Sequence, residues 1–92
     1  MREKAKEVAM TDDQIDIVQL FKDAVFEAQG RRLENVALDS KLSDLSLDSV
    51  AVMETIGVVE DRLGVRFADA DLAHLKSVRD LEAIVAKARR VA

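Results

Sequence analysis

Apolar side chains recur at steps of three and four residues in three separate stretches of the chain, the spacing of one helix face. The first stretch runs from Ile15 to Gln29, the second from Asp48 to Leu63, and the third opens at Ser77. The pattern predicts three amphipathic main helices. Their stripes are Val18, Phe21, Val25 and Ala28; Val50, Met53, Ile56, Val59 and Leu63; and Leu81, Ile84, Val85 and Ala88.

Residues that favour helix ends flank each stretch. Short polar side chains at a helix start accept hydrogen bonds from unpaired backbone N–H groups, and glycine suits the left-handed residue after a helix. A serine or threonine followed three residues later by Gln or an acid forms a capping box. The capping residues are Thr11 with Gln14, then Gly30; Asp48 or Ser49, then Gly64; and Ser77 with Asp80.

A stretch without helical periodicity, Arg31 to Leu47, separates the first two helices. A loop of this length in a small domain is normally functional or pinned to the core. Six aliphatic residues would pin it: Leu33, Val36, Leu38, Leu42, Leu45 and Leu47. We expect a short helical turn within Asn35–Lys41 and a brief extra helix within Ala68–Leu75. The predicted fold is an all-α bundle of three main helices plus one short helix.

Composition narrows the function classes. The 92 residues make one small domain, and the absence of Cys excludes disulfides and thiolate chemistry. His74 is the single histidine, so a metal site is not expected. No run reaches the about eighteen apolar residues of a membrane span, and Met1–Met10 is a charged leader without a signal-peptide core. We therefore expect a flexible leader over 1–10, one domain over 11–92, and a cytoplasmic protein.

Negative charge is concentrated in the middle of the chain. The segment from Asp44 to Asp71 contains seven acidic residues and two arginines. Its formal net charge is −5, compared with −4 for the whole chain. An acidic surface repels nucleic acid and suits basic partner proteins. A solvated helix face without any partner accounts for the same charges, and both interpretations stay open at this stage.

The segment Leu45-Ser46-Leu47-Asp48-Ser49-Val50 places a serine where an apolar-anchored loop becomes a helix. A phosphate on Ser49 would meet unpaired N–H groups and the positive end of the helix dipole. An isolated Asp-Ser pair is more often a simple helix cap. The wider pattern decides between these two roles.

That pattern resembles the acyl carrier protein family over about Thr11 to Ala88. The resemblance rests on Asp44 to Val50, on Glu54, on Glu60-Asp61, on Leu63-Gly64-Val65 and on Ser77 to Leu81. The family's usual form is Leu-Gly-Leu-Asp-Ser-Leu, so this chain has Ser46 in place of Gly and Val50 in place of the last Leu. Ala51 and Gly57, which we expect on the exposed side, also depart from the family's usual residues.

The resemblance implies a carrier that is not an enzyme. Ser49 would bear covalent 4′-phosphopantetheine, with Asp48 helping the modifying transferase to recognise the chain. The resemblance also implies partner docking through Val50, Glu54, Gly57, Glu60 and Asp61. It further implies an interior that shelters acyl chains, lined by Met53, Ile56, Val59 and Leu63.

The expected partners of a monomeric carrier are a phosphopantetheinyl transferase, acyl-loading enzymes, and ketoacyl synthases or acyltransferases with basic patches. Two alternatives stay open. One is a peptidyl or aminoacyl carrier, although the loop lacks the Gly-Gly approach to the serine common in such proteins. The other is an unmodified helical adaptor that docks through its acidic middle helix.

Overall fold

The computed structural model of the chain describes residues 15–91. The regular secondary structure of this range is helical, joined by loops, with one isolated bridge between Lys41 and Ser77. The predicted all-α class is confirmed. The charged leader and the Thr11–Gln14 capping box lie outside the described residues. The elements are α1 (Ile17–Gln29), a 3₁₀ helix (Leu42–Leu45), α2 (Ser49–Leu63), α3 (Asp69–Leu72) and α4 (Val78–Val91).

The first helix begins two residues later than the pattern predicts. Its N-cap is Asp16, whose side chain accepts a hydrogen bond from the Gln19 N–H at 3.1 Å. Its end is as predicted: Gly30 is left-handed (φ 73°) and donates its N–H to Phe26 O. The predicted start at Ile15 was wrong because Asp16 has an extended backbone (φ −86°, ψ 97°) and caps the helix from the position before its first residue.

The second helix begins and ends where its capping residues predict. Asp48 is the N-cap and Gly64, at φ 67°, is the left-handed C-cap. Helix α1 packs mainly against α2, and an ion pair at 2.8 Å joins Arg62 to Glu27. The ion pair fastens the C-terminal end of α2 to the end of α1.

An aliphatic core with two phenylalanines joins the helices and the long loop. The buried apolar residues are Ile17, Phe21, Ala24, Val25, Leu33, Leu42, Leu47, Ala51, Ile56, Val59, Phe67, Val78, Leu81, Ile84 and Val85. Two placements differ from the prediction: Met53 is 54% exposed, whereas Ala51 is buried. A three-residue step falls about 60° short of a full helical turn, so a run of such steps drifts off the buried face.

The loop between α1 and α2 is pinned to the core as predicted. Leu33, Leu42 and Leu47 are buried, and Val36, Leu38 and Leu45 pack against the core from partly buried positions. Backbone hydrogen bonds also tie the loop to α4. The first two N–H groups of α4, on Val78 and Arg79, donate to the loop carbonyls of Ser40 and Leu38. The turn expected within Asn35–Lys41 is a single hydrogen-bonded turn, in which the Ser40 N–H donates to Ala37 O at 3.0 Å. The pattern missed the 3₁₀ helix that follows it at Leu42–Leu45.

The short helix α3 covers half of the predicted Ala68–Leu75 segment, and an ion pair between Asp71 and Lys87 links it to α4. The capping box that opens α4 is confirmed. Asp80 accepts from the Ser77 N–H at 3.0 Å, and the Ser77 hydroxyl accepts from the Asp80 N–H at 3.3 Å. None of the helices in residues 15–91 has the length and apolar character of a membrane span.

Candidate functional site at the N-terminus of α2

Ser49 is the first residue of α2 and its side chain is exposed. Asp48 directs its carboxylate to the Ala51 N–H at 2.8 Å, and its carbonyl accepts from the Val52 N–H. The Ser49 hydroxyl and the N–H groups of Ser49 and Val50 make no hydrogen bond to any of residues 15–91. An exposed hydroxyl therefore stands next to two unused backbone donors.

The loop before Ser49 is positioned by a residue that the sequence pattern did not single out. Arg31 reaches across from the end of α1 and donates from Nη1 to Ser46 O at 3.1 Å and from Nη2 to Leu45 O at 3.0 Å. Ser46 itself is left-handed, with φ 61°. The family that this sequence resembles usually has Gly at this position, and Gly tolerates positive φ. That difference was the available sequence signal for a left-handed bend at Ser46.

A groove of about 720 Å³ opens beside Ser49. Its size falls in the range of small-molecule pockets. Its walls are mainly aliphatic, and Lys41, Lys76 and Asp80 lie among its polar lining residues. The aliphatic lining comprises Leu42, Leu47, Val52, Met53, Leu72 and Leu75. We call this feature the Ser49 groove.

The solvent side of α2 brings together most of the predicted docking residues. Val50 is 66% exposed, and Glu54 and Asp61 are also exposed. A Cβ placed on Gly57 would meet no atom within 4 Å, so this position is open as expected. Met53, predicted to be in the core, belongs to this surface. We call these five residues the exposed face of α2.

Glu60 differs from the other predicted docking residues. It is partly buried, and its Oε2 accepts a hydrogen bond from the Phe67 N–H at 2.8 Å. This hydrogen bond fixes the segment between α2 and α3 against α2, so Glu60 stabilises the fold. Glu54 is also engaged, since it accepts a hydrogen bond from the Gln29 amide.

The residues predicted to line an acyl-sheltering interior are only partly brought together. Ile56 and Val59 are buried and Leu63 packs against the core from a partly buried position. Met53 was wrongly placed in the interior, because it lies at the rim of the Ser49 groove with its side chain in solvent. Val52, which the pattern missed, lines the groove wall.

Comparison with known proteins identifies the family. The model of the phosphopantetheine attachment site family matches residues 17–85. The chain belongs to the acyl carrier protein family. The acyl carrier protein of Rhodococcus erythropolis is 34% identical over 85% of this chain and 87% of that protein. The meromycolate extension acyl carrier protein of Mycolicibacterium aurum is 32% identical over 85% and 81%.

Solved structures of acyl carrier proteins have the same fold. That of Thermotoga maritima superposes with a TM-score of 0.76 at 26% identity, covering 89% of this chain and 94% of that one. The acetyl actinorhodin acyl carrier protein of Streptomyces coelicolor gives a TM-score of 0.61 at 28% identity, covering 90% and 95%. The carrier is thus not an enzyme, and its prosthetic group is covalent 4′-phosphopantetheine.

The surroundings of Ser49 fit a phosphate-linked group. The exposed hydroxyl provides an oxygen for the ester, and the unused N–H groups of Ser49 and Val50 suit an anion at a helix N-terminus. Lys41 and Lys76 add positive charge to the lining of the adjoining groove.

Proposed function

We propose that Ser49 carries the 4′-phosphopantetheine arm and that the chain works in the cytoplasm as a discrete, monomeric acyl carrier protein. It would form a single carrier domain over residues 11–92 and deliver acyl intermediates to enzymes of fatty acid, specialised lipid or polyketide biosynthesis. The observation that carries the proposal is the unengaged, exposed hydroxyl of Ser49, next to its N-cap Asp48 and inside the family match.

The residues around Ser49 hold the attachment point without taking part in chemistry. Backbone N–H groups of Ser49 and Val50 face the phosphodiester, and the helix dipole favours its charge. Asp48 fixes the helix start, so the hydroxyl is presented at one defined place. When bound, the group supplies a terminal thiol that holds acyl groups as thioesters.

The interior of the bundle is the shelter we propose for the acyl chain. Val52 lines the Ser49 groove, and Ile56 and Val59, further along α2, belong to the buried aliphatic core. Leu63 extends the same stripe from a partly buried position. Aliphatic side chains repack around an inserted chain more readily than large aromatic rings do. Met53 serves at the rim rather than inside.

The exposed face of α2 is the surface we propose for docking partner enzymes. Val50 and Met53 offer apolar contact, while Glu54 and Asp61 attract Arg and Lys patches on the phosphopantetheinyl transferase, acyl-loading enzymes, ketoacyl synthases or acyltransferases. Charges of this kind raise association rates and select partners more than they add affinity. Glu60 adds its charge at the edge of the surface.

An acyl cargo is favoured over a peptidyl or aminoacyl cargo because the relatives reported above are acyl carrier proteins. Two of them are described for meromycolate extension and for actinorhodin, so the family serves more than one pathway. The unmodified adaptor is disfavoured, since the family match is to a phosphopantetheine attachment site.

Intact-mass measurement tests the attachment residue. We expect incubation with coenzyme A, Mg²⁺ and a broad-specificity phosphopantetheinyl transferase to add the mass of one phosphopantetheine group. Ser49→Ala abolishes the addition, whereas Ser46→Ala, three residues away in the same loop, preserves it. An unchanged mass of the wild-type chain, or equal modification of Ser49→Ala, would overturn the proposal.

Loading then separates the two kinds of carrier. If the chain is an acyl carrier, acyl-activating enzymes should load fatty acyl groups onto it much faster than adenylating enzymes load aminoacyl groups. The reverse order, measured by mass on the modified chain, would favour the peptidyl alternative.

A further inference from the structure

Thr55 is an anomaly in the core. It lies in the middle of α2, is 0% exposed, and is the one buried polar residue among those the structure describes. Its hydroxyl oxygen makes no hydrogen bond to any group in residues 15–91. A threonine inside a helix commonly bonds the carbonyl four residues earlier, here that of Ala51, but Thr55 does not.

Such a hydroxyl destabilises the folded chain by itself. Removing a polar group from water without giving it a partner costs free energy, and valine would fill the same space without that cost. The hydroxyl becomes favourable only when another group inside the bundle accepts its hydrogen bond. Thr55 therefore points to a polar atom that enters the interior.

The position of Thr55 connects it to the Ser49 groove. Val52 lines the groove, and Thr55 follows it by three residues, a spacing that makes the two side chains neighbours on a helix surface. Along the helix axis, Thr55 lies about 9 Å beyond Ser49. A chain that enters past Val52 thus comes within reach of the Thr55 hydroxyl.

We propose that Thr55 is a specificity-determining residue for the cargo, an inference that rests on the carrier function proposed above. Its hydroxyl donates a hydrogen bond to a ketone oxygen on the sheltered part of the acyl chain. The interior accordingly prefers oxygen-bearing acyl chains to saturated chains of the same length. A hydrogen-bonding site discriminates against a cargo that leaves its polar group unpaired.

Protection of the thioester tests this preference. The modified carrier is loaded with octanoyl, 3-oxo-octanoyl, 5-oxo-octanoyl or 7-oxo-octanoyl groups. Transfer of the acyl group to excess 2-mercaptoethanol, which releases the thiol of the arm, is timed against the corresponding free pantetheine thioester. In the wild type, we expect at least one oxo chain to be better protected than octanoyl. Thr55→Val lowers that protection about tenfold and leaves the octanoyl protection unchanged or higher.

Thr55→Ser is the matched control, because it keeps the hydroxyl and removes one methyl group. It retains the preference for the oxo chain, while Thr55→Val loses it. Equal changes for octanoyl and oxo chains in Thr55→Val, or no oxo preference in the wild type, overturn the proposal. In those cases the carrier function still stands, since phosphopantetheine is present by mass; absence of the modification overturns both.

Discussion

At the scale of single residues, Ser46 has a strained left-handed backbone conformation just before the proposed attachment point. It is the one non-glycine residue with positive φ in the described part of the chain. The left-handed region costs an L-residue roughly 1–2 kcal/mol, which explains the Gly that the family usually has here. Arg31 holds the two carbonyls around this bend and so maintains a strained turn.

Ser46→Gly is therefore expected to stabilise the fold. Relief of the left-handed strain exceeds the extra backbone entropy of Gly in the unfolded chain, leaving a net gain of about 0.5 kcal/mol, or roughly 2–4 °C in Tm. Thermal and urea unfolding measure the change. Ser43→Gly, in the same loop at negative φ, serves as the control and lowers stability; a lower Tm for Ser46→Gly would contradict the strain argument.

Asp48 combines a capping contact with a negative charge next to Ser49, and substitution separates the two. Asn caps helices about as well as Asp, so Asp48→Asn is expected to keep the free energy of unfolding within about 0.5 kcal/mol. Asp48→Ala loses the bond to the Ala51 N–H and costs about 1 kcal/mol. If the charge guides the transferase, Asp48→Asn still slows phosphopantetheinylation; an unchanged kcat/KM leaves Asp48 with its cap alone.

At the scale of elements, the N-terminus of α4 fastens the long loop. Its first two N–H groups bond loop carbonyls, and Lys76 O accepts from the Leu42 N–H at 2.9 Å. Asp80 stabilises this junction by accepting from the backbone N–H groups of Lys76 and Ser77. These hydrogen bonds, that from Lys76 foremost, lower the pKa of the Asp80 carboxyl below its ordinary value of 3.8.

This lowered pKa predicts a defined acid dependence. The folded state binds the Asp80 proton less readily than the unfolded state, so the contribution of Asp80 is complete above pH 3.8 and disappears as the pH falls through the folded-state pKa. Asp80→Asn should lower stability at pH 7 by about 1 kcal/mol and flatten the decline below pH 4. Urea unfolding from pH 7 to pH 2.5 measures both effects. Glu82→Gln, an exposed acid of the same helix, should match the wild type; an unchanged pH profile of Asp80→Asn would refute the assignment.

At the scale of the whole molecule, charge is separated by surface. The exposed face of α2 carries Glu54 and Asp61, whereas the end of α4 carries Arg89 and Arg90. If the proposed partners have basic surfaces, such a separation would orient the carrier with the exposed face of α2 toward them.

Charge reversal on this face should slow encounter with a basic partner. We expect Glu54→Lys with Asp61→Lys to lower kcat/KM of the phosphopantetheinyl transferase about tenfold at low salt. The loss should shrink at high ionic strength, where screening shortens the reach of surface charges. Glu34→Lys with Glu82→Lys, two exposed acids outside α2, provides the control for the same change of +4 in net charge. A salt-independent loss, or an equal loss for this control, would count against steering by α2.

Local sequence predicted both ends of α2, the end of α1 and the start of α4, because capping depends on near neighbours. Asp48, Gly64 and the Ser77–Asp80 box act within three or four residues, so their types alone predict where α2 ends and where α4 begins. The apolar stripes likewise identified the fold class. Ser49 was singled out by the spacing of several short motifs between Asp44 and Leu81, and this spacing can be read along the chain without the fold.

The choice of which side chains of α2 are buried, and the way the loop is held, depend on packing between distant parts of the chain. Met53 is exposed and Thr55 buried because neighbouring helices choose the covered face, and three-residue steps do not follow it. The bonds from Val78 and Arg79 to the loop, and from Arg31 to Ser46, join residues far apart in the chain. Local sequence carries no signal for such pairings, since they arise only when packing brings distant segments together.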